Sequence, residues 1–106
     1  MLEKTVKLST SPSQPSMEVV GNILMGLSSP SSKKKVTILI NPNIQEYKEK
    51  SVMTDETIQL LFDFKVNTVH RITMRNRNYE IKLMTIDKEN IQGQEFLYFE
   101  FFVRGI

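Results

Sequence analysis

The sequence predicts a mainly β fold: a small antiparallel β-sandwich or partial barrel, with a C-terminal three-stranded meander behind a disordered N-terminal tail. Three observations lead there. Glu95 to Arg104 alternates strictly, with Leu97, Phe99, Phe101 and Val103 apolar on one face. Residues 69–87, VHRITMRNRNYEIKLMTID, read as a hairpin about an Asn-containing turn. Val36 to Asn41, VTILIN, is a short β-branched run stopped by Asn41-Pro42.

The 106 residues make one domain at most. An apolar content of 40% with 25% charged residues suits a globular chain carrying a tail. A net charge of +2 does not by itself call for a polyanionic partner. Without cysteine there is no disulfide framework and no thiol chemistry, which fits a reducing compartment. No apolar run approaches the roughly 18 residues of a membrane-spanning helix. The N-terminus lacks the apolar core of a secretory signal. The expectation is an intracellular protein, cytoplasmic or nuclear.

Residues 1–16, MLEKTVKLSTSPSQPS, are rich in Ser, Thr and Pro. Their composition predicts a mobile tail, with Val6 and Leu8 placed to add at most a short strand, so the domain proper is 17–106. Met17 to Leu27 is ambiguous. Val19, Val20, Ile23, Leu24 and Leu27 recur at helical spacing, but Gly21 and Gly26 oppose a helix. Residues 28–35, SSPSSKKK, are a loop. Thr54-Asp55-Glu56 resembles a helix start, yet from Ile58 the period is two, through Leu60, Phe62, Phe64 and Val66, and only Leu61 breaks it. A strand over 56–66 is preferred. The alternative fold is α+β, with helices at 17–27 and 54–65.

In the hairpin, loop residues Asn76-Arg77 would oppose Met74 to Tyr79, Ile72 to Ile81 and His70 to Leu83. Arg71 would then face Lys82. A slip by one residue would mix the apolar and polar faces, so the pattern selects this register. A loop from Lys88 to Gln94 would next set Leu83 opposite Phe99, Ile81 opposite Phe101 and Lys82 opposite Glu100.

The outer face of this meander carries Val69, Met84, Ile86, Phe96, Tyr98 and Phe102 among charged residues. So many large apolar groups on one face call for a cover. Either a second sheet from 17–27 and 36–41 supplies it, or another chain does, an identical one included. This set is the predicted protein-interaction site. A second set, Lys33, Lys34, Lys35, Arg71, Arg75, Arg77 and Lys82, is basic and lies near Tyr79 and a hairpin tip. Its chemistry suits phosphate, on nucleic acid or on an anionic lipid head group. The plainer explanation of these charges is a solvated turn.

Ser11-Pro12 and Ser29-Pro30 match proline-directed phosphorylation sites, and Lys88-Glu89-Asn90 matches a KEN degradation box. Lys33 to Lys35 makes a short basic run of the kind found in nuclear addresses. Such short motifs carry little weight. For catalysis the chain offers one histidine, no cysteine, no glycine-rich phosphate loop and no metal-ligand spacing. His70 on the apolar hairpin face reads as a packing residue. No enzyme, cofactor or metal is expected. The preferred function is a protein-interaction or assembly module, homodimeric or not. The alternative is a phosphate-directed binding module.

Overall fold

A computed structural model describes residues 2–28, 34–42, 60–74 and 76–106. They form eight strands: β1 (Glu3–Ser9), β2 (Met17–Val20), β3 (Ile23–Ser28), β4 (Val36–Pro42), β5 (Leu60–Phe64), β6 (Val69–Met74), β7 (Arg77–Ile91) and β8 (Gln94–Gly105). Two four-stranded sheets result, in the orders β1-β8-β7-β6 and β2-β3-β4-β5. Every ladder is antiparallel. The chain leaves the first sheet after β1, returns to it at β6, and brings its first and last strands together as β1 beside β8. Gly105 N–H donates to Leu2 O at 2.8 Å across that closure.

The core lies between the sheets. From the first come Val6, Leu8, Ile81, Leu83, Phe99, Phe101 and Val103; from the second, Val20, Ile23, Met25, Val36, Ile38, Ile40 and Phe64. Phe64 meets Phe101 edge-to-face across the layers, with ring centroids 5.3 Å apart. The strict alternation of β4 and β8 thus points inward as the pattern requires.

Several expectations need correction. Residues 3–9 are not a mobile tail but strand β1, paired to β8 from Glu3↔Arg104 to Ser9↔Tyr98. Val6 and Leu8 are fully buried, and this anchors a segment whose average composition is dominated by the loop that follows. No helix occurs among the described residues. Residues 17–27, offered as a helix, form the β2–β3 hairpin instead, with Gly21 (φ 59°) in the turn and Val20 opposite Ile23. Residues 60–64 are strand, so the helix over 54–65 fails there; 54–59 lie outside the described residues.

The β6–β7 register differs by two residues from the sequence-based one: Ile72 faces Tyr79, His70 faces Ile81 and Met74 faces Arg77. An even slip keeps each side chain on its face, so hydrophobic pattern alone does not separate the two registers. Cross-strand chemistry does. The observed register sets Arg71 beside Glu80, at 3.1 Å, instead of beside Lys82. It also sets Thr73 against Asn78, with Oγ1–H donating to Oδ1 at 2.6 Å.

β7 and β8 pair as far as Ile91↔Gln94, around a two-residue Gln92-Gly93 turn with φ of 51° and 83°. Residues 88–90 are therefore strand, not loop. Leu83 faces Phe101 and Ile81 faces Val103, again two residues from expectation. A bulge between Leu83 and Thr85 inserts Met84 as an extra residue. The bulge inverts the alternation beyond it and turns Ile86 inward against the core.

One buried polar contact ties the sheets together at the β2–β3 turn. Tyr79 Oη–H donates to Asn22 Oδ1, and Asn22 N–H donates back to Tyr79 Oη at 3.4 Å. Both residues are buried. A Cβ on Gly21 would stand 3.0 Å from the same phenol oxygen. Tyr79→Phe strands the Asn22 amide, so a loss of about 1–3 kcal/mol is expected in urea unfolding.

Candidate interaction surface

The second sheet does form largely from residues 17–28 and 36–42, but it packs on the inner face of the meander. The outer face of the first sheet keeps its own cover. Of the predicted set, Val69 and Met84 are exposed, Phe96, Tyr98 and Phe102 are half-buried on the outer face, and Ile86, also half-buried, packs against the core from the inner face. Polar neighbours do the covering. Lys7 extends over the Tyr98 ring, Nζ 4.5 Å from the centroid, and also pairs with Glu89 at 3.2 Å. Phe102 lies between Thr5 and Lys82 across the ladders.

A charge row crosses this face, Glu3–Arg104–Glu80–Arg71. Glu80 accepts from Arg104 Nε at 2.9 Å and from Arg71 Nε at 3.1 Å. The bond from Arg104 chiefly holds its carboxyl below the usual glutamate range, with Arg71 adding to the effect. A carboxylate with a depressed pKa stabilises the fold above the ordinary glutamate value, and that contribution is lost as pH falls through the lower folded value. Glu80 should thus titrate below an ordinary glutamate by carboxyl NMR, and Arg104→Gln should move it back up.

The basic set does not converge. Lys33 and Arg75 lie outside the described residues. Arg71 is committed to Glu80, and Lys35 pairs with Asp63 at 3.1 Å. Lys34 and Lys35 precede β4 at the end of the sandwich where β5 runs into β6. Arg77 stands at the opposite end, beyond the length of β6, beside a cleft of about 430 Å³ lined also by Leu2, Tyr79 and Ile106. Lys82 faces Phe102 and Val69 in mid-sheet.

His70 packs against Phe62 and Phe64, with ring centroids 5.2 and 4.7 Å away. Its Nε2–H donates to Asp63 O at 2.7 Å, joining β6 to β5 along one seam of the sandwich. Asp63 is held below the usual aspartate range, first by the Thr37 hydroxyl and then by Lys35. Among the described residues no three His, Cys, Asp or Glu side chains gather as metal ligands. Nor does a helix long and apolar enough to cross a membrane occur among them. Ser11 is only 3% exposed; its hydroxyl bonds to Ser13 Oγ at 2.9 Å, and its N–H donates to Ser9 Oγ. Ser29-Pro30 lies outside the described residues.

The bare apolar face is on the other sheet. Met17, Gly26, Leu39 and Leu61 are neighbours across all four strands, with Val19 and Leu24 in the adjoining row. Met17 is 52%, Val19 45% and Leu61 57% exposed. Leu24 and Leu39 are half-buried between them, and Met17 leans across Gly26, where a Cβ would stand 3.3 Å from its Cγ. One or two apolar residues per strand, at outward positions, give little signal in sequence. Leu61 looked like a fault in the alternation, and only the ladder register aligns it with Leu39 and Met17. Comparison with protein families, with curated proteins and with solved structures finds no match.

Proposed function

We propose that this chain is a non-enzymatic protein-interaction or assembly module that docks through an apolar sheet face. The observation that carries the reading is the row Met17–Gly26–Leu39–Leu61, bordered by Val19 and Leu24, on the sheet face turned away from the core that the described residues form. Full burial of one such aliphatic side chain is worth roughly 1.5–3 kcal/mol, so several together favour a partner over water. The aromatic face of the first sheet, with Val69, Met84, Phe96, Tyr98 and Phe102, is the secondary docking area. The phosphate-directed alternative has thinner support, because its described basic residues are spread from Lys34 and Lys35 at one end of the sandwich through Arg71 and Lys82 to Arg77 at the other, and Arg71 and Lys35 already serve carboxylates. The missing cysteines favour a reducing compartment, cytoplasm or nucleus. Phosphorylation at Ser11 requires its turn to open first.

The test compares the proteins retained by the parent chain, by Leu61→Asp and by Phe102→Asp, together with oligomeric state. Loss of retained partners or of assembly in Leu61→Asp is expected. Unchanged behaviour in both variants overturns the reading. A parent chain whose binding to oligonucleotide or anionic vesicles collapses with salt and with Arg77→Glu favours the alternative instead.

A further inference from the structure

We infer that the partner seated on the second sheet is a second copy of this chain, packed face to face about a two-fold axis parallel to the strands. This rests on the docking role proposed for that face and names its occupant. The ladder register carries it. Along the central row the side chains run Met17, Gly26, Leu39, Leu61 across β2, β3, β4 and β5. A two-fold axis between β3 and β4 reverses the row in the partner. Gly26 then lies under Leu39 of the second copy, and Met17 under Leu61 of the second copy. The position without a side chain meets a large one twice, by symmetry, as an isologous contact requires. Met17 leans over Gly26 in the single chain, so the dimer requires its unbranched side chain to swing aside and pack beside the incoming leucine. An axis perpendicular to the strands would instead stack Leu39 on Leu39 and set the two Met17-covered glycines face to face.

Charge agrees. Among the outward residues of β2 to β5, Asp63 alone is charged, and it is bound by Lys35 and Thr37. Its row contains Ser28 and Thr37, so the symmetry brings no like charge opposite it. Size sets the strength. Four strands about 4.8 Å apart and some five residues long bury on the order of 1,000 Å² over both copies, the low end of specific interfaces. The dimer is therefore reversible and concentration-dependent.

Sedimentation of the full chain from about 10 to 500 μM, at low and high salt, is the test. The expected result is a monomer–dimer equilibrium that salt does not weaken. Leu39→Lys and Leu61→Lys should each weaken it at least tenfold, and Gly26→Ala, whose methyl takes the seat that Met17 must vacate for the leucine, severalfold. Leu61 lies on an edge strand and is the most exposed of the row, so its variant keeps the test valid if Leu39→Lys does not fold. The chain has no cysteine, so single variants Met17→Cys and Leu61→Cys can be mixed and joined by a bismaleimide reaching about 10 Å, the spacing of stacked sheets. The mixed pair should cross-link faster than either like pair. A monomer throughout overturns the second copy, and the retention comparison then decides separately whether the face docks anything. A dimer that survives Leu61→Lys, or like pairs that cross-link as fast as the mixed one, overturns the geometry.

Discussion

Deletion of residues 2–9 is expected to leave a chain without a cooperative unfolding transition. β1 closes the first sheet against β8 over seven residue pairs, and it contributes Val6 and Leu8, both fully buried. Removing a buried leucine side chain costs about 2–5 kcal/mol. A buried valine is worth roughly 1.5–3 kcal/mol more. A domain of this size has only about 5–15 kcal/mol of net stability. The deletion also bares β8 as a new sheet edge, a long strand carrying four phenylalanines and a tyrosine, which invites pairing with other chains. Far-UV circular dichroism with thermal melting checks this. A truncated protein that associates no more than the parent and melts within a few degrees of it would show that β1 is the dispensable tail its composition suggests.

That segment shows where sequence reasoning stops. Alternation located the cores of β4 and β8, and in residues 60–64 it outweighed a helix-start signal, because period two across several large apolar residues reflects burial directly. β1 escaped because its two anchoring residues were averaged with a Ser- and Pro-rich loop. The β6–β7 register escaped because hydrophobic alternation is blind to even slips; Arg71 beside Glu80, rather than beside Lys82, was the available discriminator. The bulge at Met84 has no local signature, so Ile86 was placed on the face opposite to the one it occupies. The candidate docking face was the least legible feature. Its residues come from four strands, one or two from each, and they become neighbours only through pairing.

Facing within β8 gives the second large effect. Phe101→Ala is expected to cost about 3–5 kcal/mol, and Phe102→Ala no more than about 1.5. The two residues are adjacent and chemically identical, so the contrast isolates the inward direction. Phe101 is fully buried, lies between Val6 and Leu83 in its sheet and meets Phe64 across the layers. Phe102 is half-buried among Thr5 and Lys82 on the outside. At about 4–8 °C per kcal/mol for a domain of this length, the Phe101 variant should melt more than about 10 °C below the parent. A double-mutant cycle with Phe64→Leu should recover a coupling of about 0.5–1.5 kcal/mol for the edge-to-face pair. Equal losses for the two alanine variants, or a larger loss at Phe102, would mean that the strand presents its other face to the core. The register placing Leu39 and Leu61 on the opposite, solvent side of the sandwich stands independently of that result, since it depends on β4 and β5 alone.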